Sequence, residues 1–156
     1  MIFASKNEKG DPAWRLVLEG KKTVTRRLKP IKEGSIRAIQ QNRCGKAIGH
    51  IKIISCQSSD KWIEELLDCT TKRTLNRRLR EEANREGFER WFDLCDWFLN
   101  NNIDIDRTYR IEFELIQLCP KCNYEMEKRV WNDVWYWYCK NCIHGMPVGG
   151  RNKDVL

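Results

Sequence analysis

Two stretches of this sequence carry residue types and spacings that can do chemistry. The first is a pair of cysteine knuckles, CPKC (Cys119 and Cys122) and CKNC (Cys139 and Cys142), with sixteen residues between them. A two-residue gap lets both thiolates of a knuckle turn onto one ion, and two knuckles complete a tetrahedral four-thiolate site. Four protein thiolates leave no open position, so the expected metal is one structural Zn2+ per chain, without a catalytic role. The alternative, a redox dithiol, suits one such pair better than two at this separation. His144 follows Cys142 by two residues. It reads as a solvent-facing side chain, as His50 does on its own segment.

The second stretch is GKKTVTRRLKP, residues 20–30, with five basic side chains and two threonines. A basic run is by default a solvated face. Three features count for function: Val24 and the threonines favour an extended chain, Gly20 permits a tight approach, and the charge surplus concentrates here. Ten Lys and Arg stand against four acids in residues 1–37, nearly the whole formal charge of +7. Arg26 and Arg27 can grip phosphates in bidentate fashion, while Lys21 and Lys22 act as point charges. A basic balance favours anionic partners and disfavours acidic ones.

These stretches need elements to hold them. Asp11 can cap a short helix over DPAWRLVLEG, with Pro12 in its first turn, Trp14, Val17 and Leu18 on one face and Gly20 as terminator. SIRAIQ and KAIGHIKIISCQ read as strands. DKWIEELLDC reads as a helix capped by Asp60 with Ile63, Leu66 and Leu67 inward. Residues 75–99 read as helix broken at Gly87, with Leu75, Leu79 and Ala83 inward before the break. After it, Phe88, Trp91, Phe92, Cys95 and Phe98 are expected inside. Arg73, Arg77, Arg78 and Arg80, mixed with Glu81, Glu82, Glu86 and Glu89, read as a solvated helix face. RTYRIEFELIQL is the clearest strand, with Tyr109, Ile111, Phe113 and Leu115 on one face. Without a regular βαβ rhythm, this mixture points to an α+β, barrel-like domain.

The segment between the knuckles, YEMEKRV-WND-VWYWY, reads as a zinc-ribbon β-hairpin. Trp135 and Trp137 point one way along it, Val134, Tyr136 and Tyr138 the other. One face is expected to pack, and stacking of nucleic-acid bases on the other is the alternative. Cys44, Cys56, Cys69 and Cys95 read as core or incidental thiols. The chain has 156 residues, 41% hydrophobic and 33% charged, enough for one domain and a small module. No apolar run approaches the ~20 residues of a membrane span, and the first residues have no apolar core of a secretory leader. The expectation is a cytoplasmic protein with no membrane partner.

GKKTVTRR resembles the G-x-K-x-x-x-R signature of the ASCH domain, a β-barrel superfamily similar to PUA RNA-binding domains. EGSIRAIQ, GKAIGHIKIIS, ANREGF, an aromatic helix and YRIEFELI follow in the order that family shows. The resemblance implies a PUA-like barrel with covering helices over residues 1–117, followed by the four-cysteine zinc ribbon over 118–145 and a tail over 146–156. It also implies binding of RNA or a nucleotide-like ligand in a basic cleft formed by Gly20, Lys21, Lys22, Arg26 and Arg27. Some small bacterial members are amidohydrolases that deacetylate N4-acetylcytidine. By that resemblance Lys22 would be the base, Thr25 the nucleophile and Glu86 the proton donor. Many members carry glutamate where this chain has Thr25, and the small amidohydrolases lack a ribbon. In a flat strand Lys22 and Thr25 would face opposite sides, so their meeting requires a bend near Thr23.

Overall fold

The computed structural model describes residues 10–42, 45–68 and 71–148. Cys44, Cys69, the first nine residues and the tail beyond 148 lie outside them. The chain divides into two compact units, Met1–Leu115 and Ile116–Leu156.

The N-terminal unit is mixed α+β. Its helices are α1 (Ala13–Leu18), α2 (Ser59–Asp68), α3 (Lys72–Glu86) and α4 (Trp91–Asn100). Its strands are β1 (Val24–Arg27), β2 (Ile36–Ile39), β3 (Gly49–Ser58) and β4 (Tyr109–Leu118). They form a sheet in the order β2-β3-β4, with β1 on β4. The β1–β4 and β2–β3 pairs are antiparallel. Ile39, Ile51, Ile53, Ile111 and Phe113 from the sheet bury themselves with Ala13 and Val17 of α1. β-branched residues dominate this layer because they suit a pleated, buried surface.

Three local signals act differently from expectation. Helix α1 starts one residue late: Pro12, not Asp11, is the boundary residue, with extended dihedrals. Helix α2 starts at Ser59, so Asp60 lies inside its first turn. Leu67 and Phe92, both expected inside, are 58% and 76% exposed. The buried positions of α4 are Leu94 and Phe98, one turn apart, a stripe that leaves Phe92 outside. The α3–α4 break falls at Gly87 as expected. Its φ of +91° is left-handed, open to glycine without penalty.

In the C-terminal unit, Gln117 and Leu118 of β4 pair with β5 (Glu125–Trp131), which pairs with β6 (Val134–Tyr138), and β6 with β7 (Gly145–Pro147). Asn132 and Asp133 turn the hairpin with φ of +48° and +61°, the two left-handed positions of a tight two-residue turn. Trp137 packs with Met126, Met146 and the first cysteine of each knuckle. Trp131 and Trp135 stay 74% and 56% exposed. Among the described residues, no helix is long and apolar enough to cross a membrane.

Candidate functional site: a buried charge cluster and a four-thiol centre

The end of α1 places Lys22. Gly20 adopts φ of +70°, and the amides of Lys21 and Lys22 both bond back to the Leu16 carbonyl at 2.9 and 3.0 Å. Thr23 then donates its amide to the Arg85 carbonyl at the end of α3, 2.8 Å away. Lys22 therefore sits in a turn before β1, and strand alternation does not relate it to Thr25. From Val24 onward the register decides: Arg26 lies opposite Arg110, and Thr25 opposite Ile111. Cross-strand partners share a face. Thr25 shares the core face with Ile111, and Arg26 and Arg110 share the other.

On that other face α3 presents Glu82 and Glu86, one turn apart. Both are buried along with Ala83, which corrects the solvated-face reading at these two positions. The Lys22 Nζ donates to the Glu86 backbone carbonyl at 2.5 Å and lies 3.8 Å from the Glu86 carboxylate. Arg26 pairs with the Glu86 carboxylate and, at 3.3 Å, with Glu82. Arg110 grips Glu82 with two nitrogens, Nε at 2.5 Å and a terminal nitrogen at 2.9 Å, and reaches Glu112 at 3.2 Å. Arg85 pairs with Glu112 and holds the Thr23 hydroxyl at 3.1 Å. Aromatic faces complete the shell. The Arg26 guanidinium lies 5.2 Å from the Trp62 ring and 5.4 Å from Trp91, and Arg110 lies 5.4 Å from Trp62. Such contacts stabilise a cation withdrawn from water.

Burial governs the electrostatics. It pulls Lys22 down from 10.5 to about 7, with Arg27 and Arg26 pushing the same way and Glu82 opposing. Lys21 beside it is exposed and paired with Glu19 at 2.8 Å. Burial also lowers Arg26 to about 10, with Glu82 opposing, so Arg26 remains cationic at neutral pH.

Of the residues singled out by sequence, the structure thus gathers Lys22, Arg26 and Glu86. Thr25 is buried on the neighbouring strand face, Lys21 points to solvent, Gly20 ends α1, and Arg27 is half-buried. Glu82, Arg110, Trp62 and Trp91 also belong to the cluster, though the sequence puts Glu82 on a solvated face and Trp91 among core residues. Two glutamates one turn apart flanking Ala83 were the available signal for the first of these.

The four cysteines of the C-terminal unit converge. Their sulfurs all lie within 4.8 Å of one another. The Cys119–Cys142 and Cys122–Cys139 separations are 3.4 Å and Cys122–Cys142 is 3.5 Å. A tetrahedral zinc with metal–sulfur bonds of about 2.3 Å would set sulfur–sulfur edges of about 3.8 Å, inside this range. The two knuckles repeat one backbone pattern. Cys119 N bonds to Tyr124 O and Asn123 N to Cys119 O, each 2.8 Å; Cys139 N bonds to His144 O at 2.8 Å and Ile143 N to Cys139 O at 2.9 Å. Asn123 and Ile143, the residues after each second cysteine, both have φ of +59°. The four thiols can hold a metal ion, and His144 is outside the group.

No family model, curated protein or solved structure matches the chain.

Proposed function

We propose that the N-terminal unit is a PUA-like ASCH domain that hydrolyses the amide of an N4-acylated cytosine or cytidine. The observation that carries this reading is the buried contact of the Lys22 ammonium nitrogen with Glu86, together with a lysine pKa of about 7. A general base is most effective when its pKa lies near the working pH. In the reaction the resemblance implies, neutral Lys22 takes the Thr25 hydroxyl proton as the oxygen attacks the acyl carbon, a step that requires Thr25 to turn from the core face it shares with Ile111 toward Lys22. The C–N bond then breaks, and the proton passes from Lys22 by way of the Glu86 carboxylate to the departing amine. Water hydrolyses the acyl-threonine and releases the carboxylic acid. The roles of Thr25 and Glu86 come from the resemblance.

Polyanion binding fits the same residues less well. The Lys22 and Arg26 side chains are 7% and 0% exposed and already face carboxylates. The exposed Lys29, Lys32 and Arg37 support a second reading, RNA binding along that surface. Its affinity would fall steeply with salt, in proportion to the phosphates neutralised.

Incubation with N4-acetylcytidine and detection of acetate tests the hydrolase. The expected result is release that rises with pH through about 7, as Lys22 loses its proton, and that Lys22→Met, Thr25→Val and Glu86→Gln each abolish. No release by the wild type, or equal release by Lys22→Met, overturns it. For the C-terminal unit we propose one structural Zn2+ on Cys119, Cys122, Cys139 and Cys142. Elemental analysis should give one zinc per chain, lost in a Cys119→Ser/Cys139→Ser variant.

A further inference from the structure

A cavity of about 560 Å³ opens beside the chain that leaves β1. It is lined by the continuous run Arg26–Ile31, by Trp97 and Phe98 of α4, and by Ile103 and Thr108. Small-molecule sites commonly measure roughly 300–1,000 Å³, so the volume suits a ligand of that kind. Trp97, Phe98 and Ile103 supply aromatic and apolar surface. The run contributes Arg26, Arg27 and Lys29, and among the described residues no aspartate or glutamate lines the space.

The three cations differ in what they offer. Arg26 is committed to Glu82 and Glu86, so it adds field rather than a free donor. Lys29 is exposed at the rim. Arg27 is half-buried, and burial lowers its pKa from 12.5. Thr108 is already engaged, its hydroxyl donating to Ile105 O at 2.6 Å and lying 2.8 Å from the Ser59 hydroxyl. Polar recognition therefore falls to the cations of the run, while Trp97, Phe98 and Ile103 offer ring and alkyl surface. That asymmetry fits a molecule with an anionic end and a flat apolar body.

We propose that this cavity is a binding site for small organic anions with an aromatic body, the anion held at Arg27 and Lys29 and the body against Trp97 and Phe98. The proposal does not depend on the hydrolase reading. Lys22, Thr25 and Glu86 are absent from the cavity lining, so either can fail alone.

Two dyes with one skeleton test it: 1-anilinonaphthalene-8-sulfonate and its uncharged parent N-phenyl-1-naphthylamine. Both are titrated by fluorescence against the metal-loaded full chain. The expected result is one saturable site that prefers the sulfonate at least tenfold. Ile103→Trp, which fills the space, should abolish it, and Lys29→Glu, an exposed change that spares the core, should weaken it several-fold. Circular dichroism confirms that each variant is folded, and Lys29→Glu decides the matter if Ile103→Trp is not. Equal affinity for the two dyes, or sulfonate binding unchanged by Lys29→Glu, overturns the proposal. So does binding that disappears in a Trp131→Ser/Trp135→Ser variant, which would place the dye on the exposed hairpin.

Discussion

In the C-terminal unit four thiols converge through two short backbone turns, each built from consecutive residues. In the N-terminal unit Lys22, Arg26, Glu82, Glu86 and Arg110 converge from a turn, a helix and two strands, drawn from three separate parts of the sequence. Both clusters place polar groups out of water, but they are neutralised differently. The thiol cluster can hold a metal ion, which on the reading proposed here would supply its counter-charge from outside. The charged cluster supplies its own counter-charges, at the cost of desolvating all of them. The first kind of site should therefore fail all at once when the ion leaves. The second should fail one partner at a time.

The largest expected effect separates the two units. Removing the proposed zinc with a strong chelator should unfold the hairpin, since structural zinc contributes roughly 10–16 kcal/mol of apparent binding free energy in zinc-finger-type modules. Amide dispersion for residues 116–148 should collapse while the N-terminal unit keeps its denaturation midpoint. A hairpin spectrum that survives complete metal removal would contradict the comparison.

Next in size is Glu82→Gln. It leaves Arg110 and Arg26 without the carboxylate they share, and breaking a buried pair costs about 3–5 kcal/mol. Urea denaturation should show that loss. Glu81→Gln, whose exposed carboxylate lies 3.8 Å from Arg77, should change stability by less than about 1 kcal/mol.

An effect of comparable size, spread over several pH units, lies in the pH dependence. The Lys22 pKa falls from 10.5 to about 7 on folding. Between those values the unfolded chain binds a proton that the folded chain does not, so stability rises with pH across that window. The slope from this group reaches roughly 1.4 kcal/mol per pH unit. Below about pH 7 both states carry the proton, and the full penalty of the buried ammonium persists. The difference in stability between wild type and Lys22→Met, measured from about pH 6 to about pH 10, should show that slope. A constant difference would place the lysine in water. The smallest expected effect is at Phe92, where an exposed ring predicts a change within about 0.5 kcal/mol for Phe92→Ser by the same measurement.

The same contrast explains what could be read from the sequence. Cysteine spacing encodes a local geometry, so all four thiols were visible as a centre before any fold was known. Gly87 and Gly20 were legible as helix terminators because left-handed backbone needs glycine whatever the tertiary context. Glu82 was not legible. Its neighbours on α3 are mostly charged, and only the pairing of β1 with β4 reveals that two arginines await it. Lys22 and Glu86 were named through a resemblance, and the structure adds that they touch. Thr25 shows the limit of reading by spacing. A turn that holds Lys22 against α1 removes the pleat relation assumed between them, and the register with Ile111 sets the threonine's side. Phe92 and Leu67 failed because apolar periodicity marks a broad stripe, and packing selects only part of it.

Ile143 occupies a conformation that a β-branched side chain resists, at the spot where the other knuckle has asparagine. Left-handed backbone costs roughly 1–2 kcal/mol for an ordinary residue and almost nothing for glycine. The second knuckle thus carries a backbone cost that the proposed metal ion would have to outweigh. Trading that isoleucine for glycine would relax it and let the ribbon close on scarcer metal.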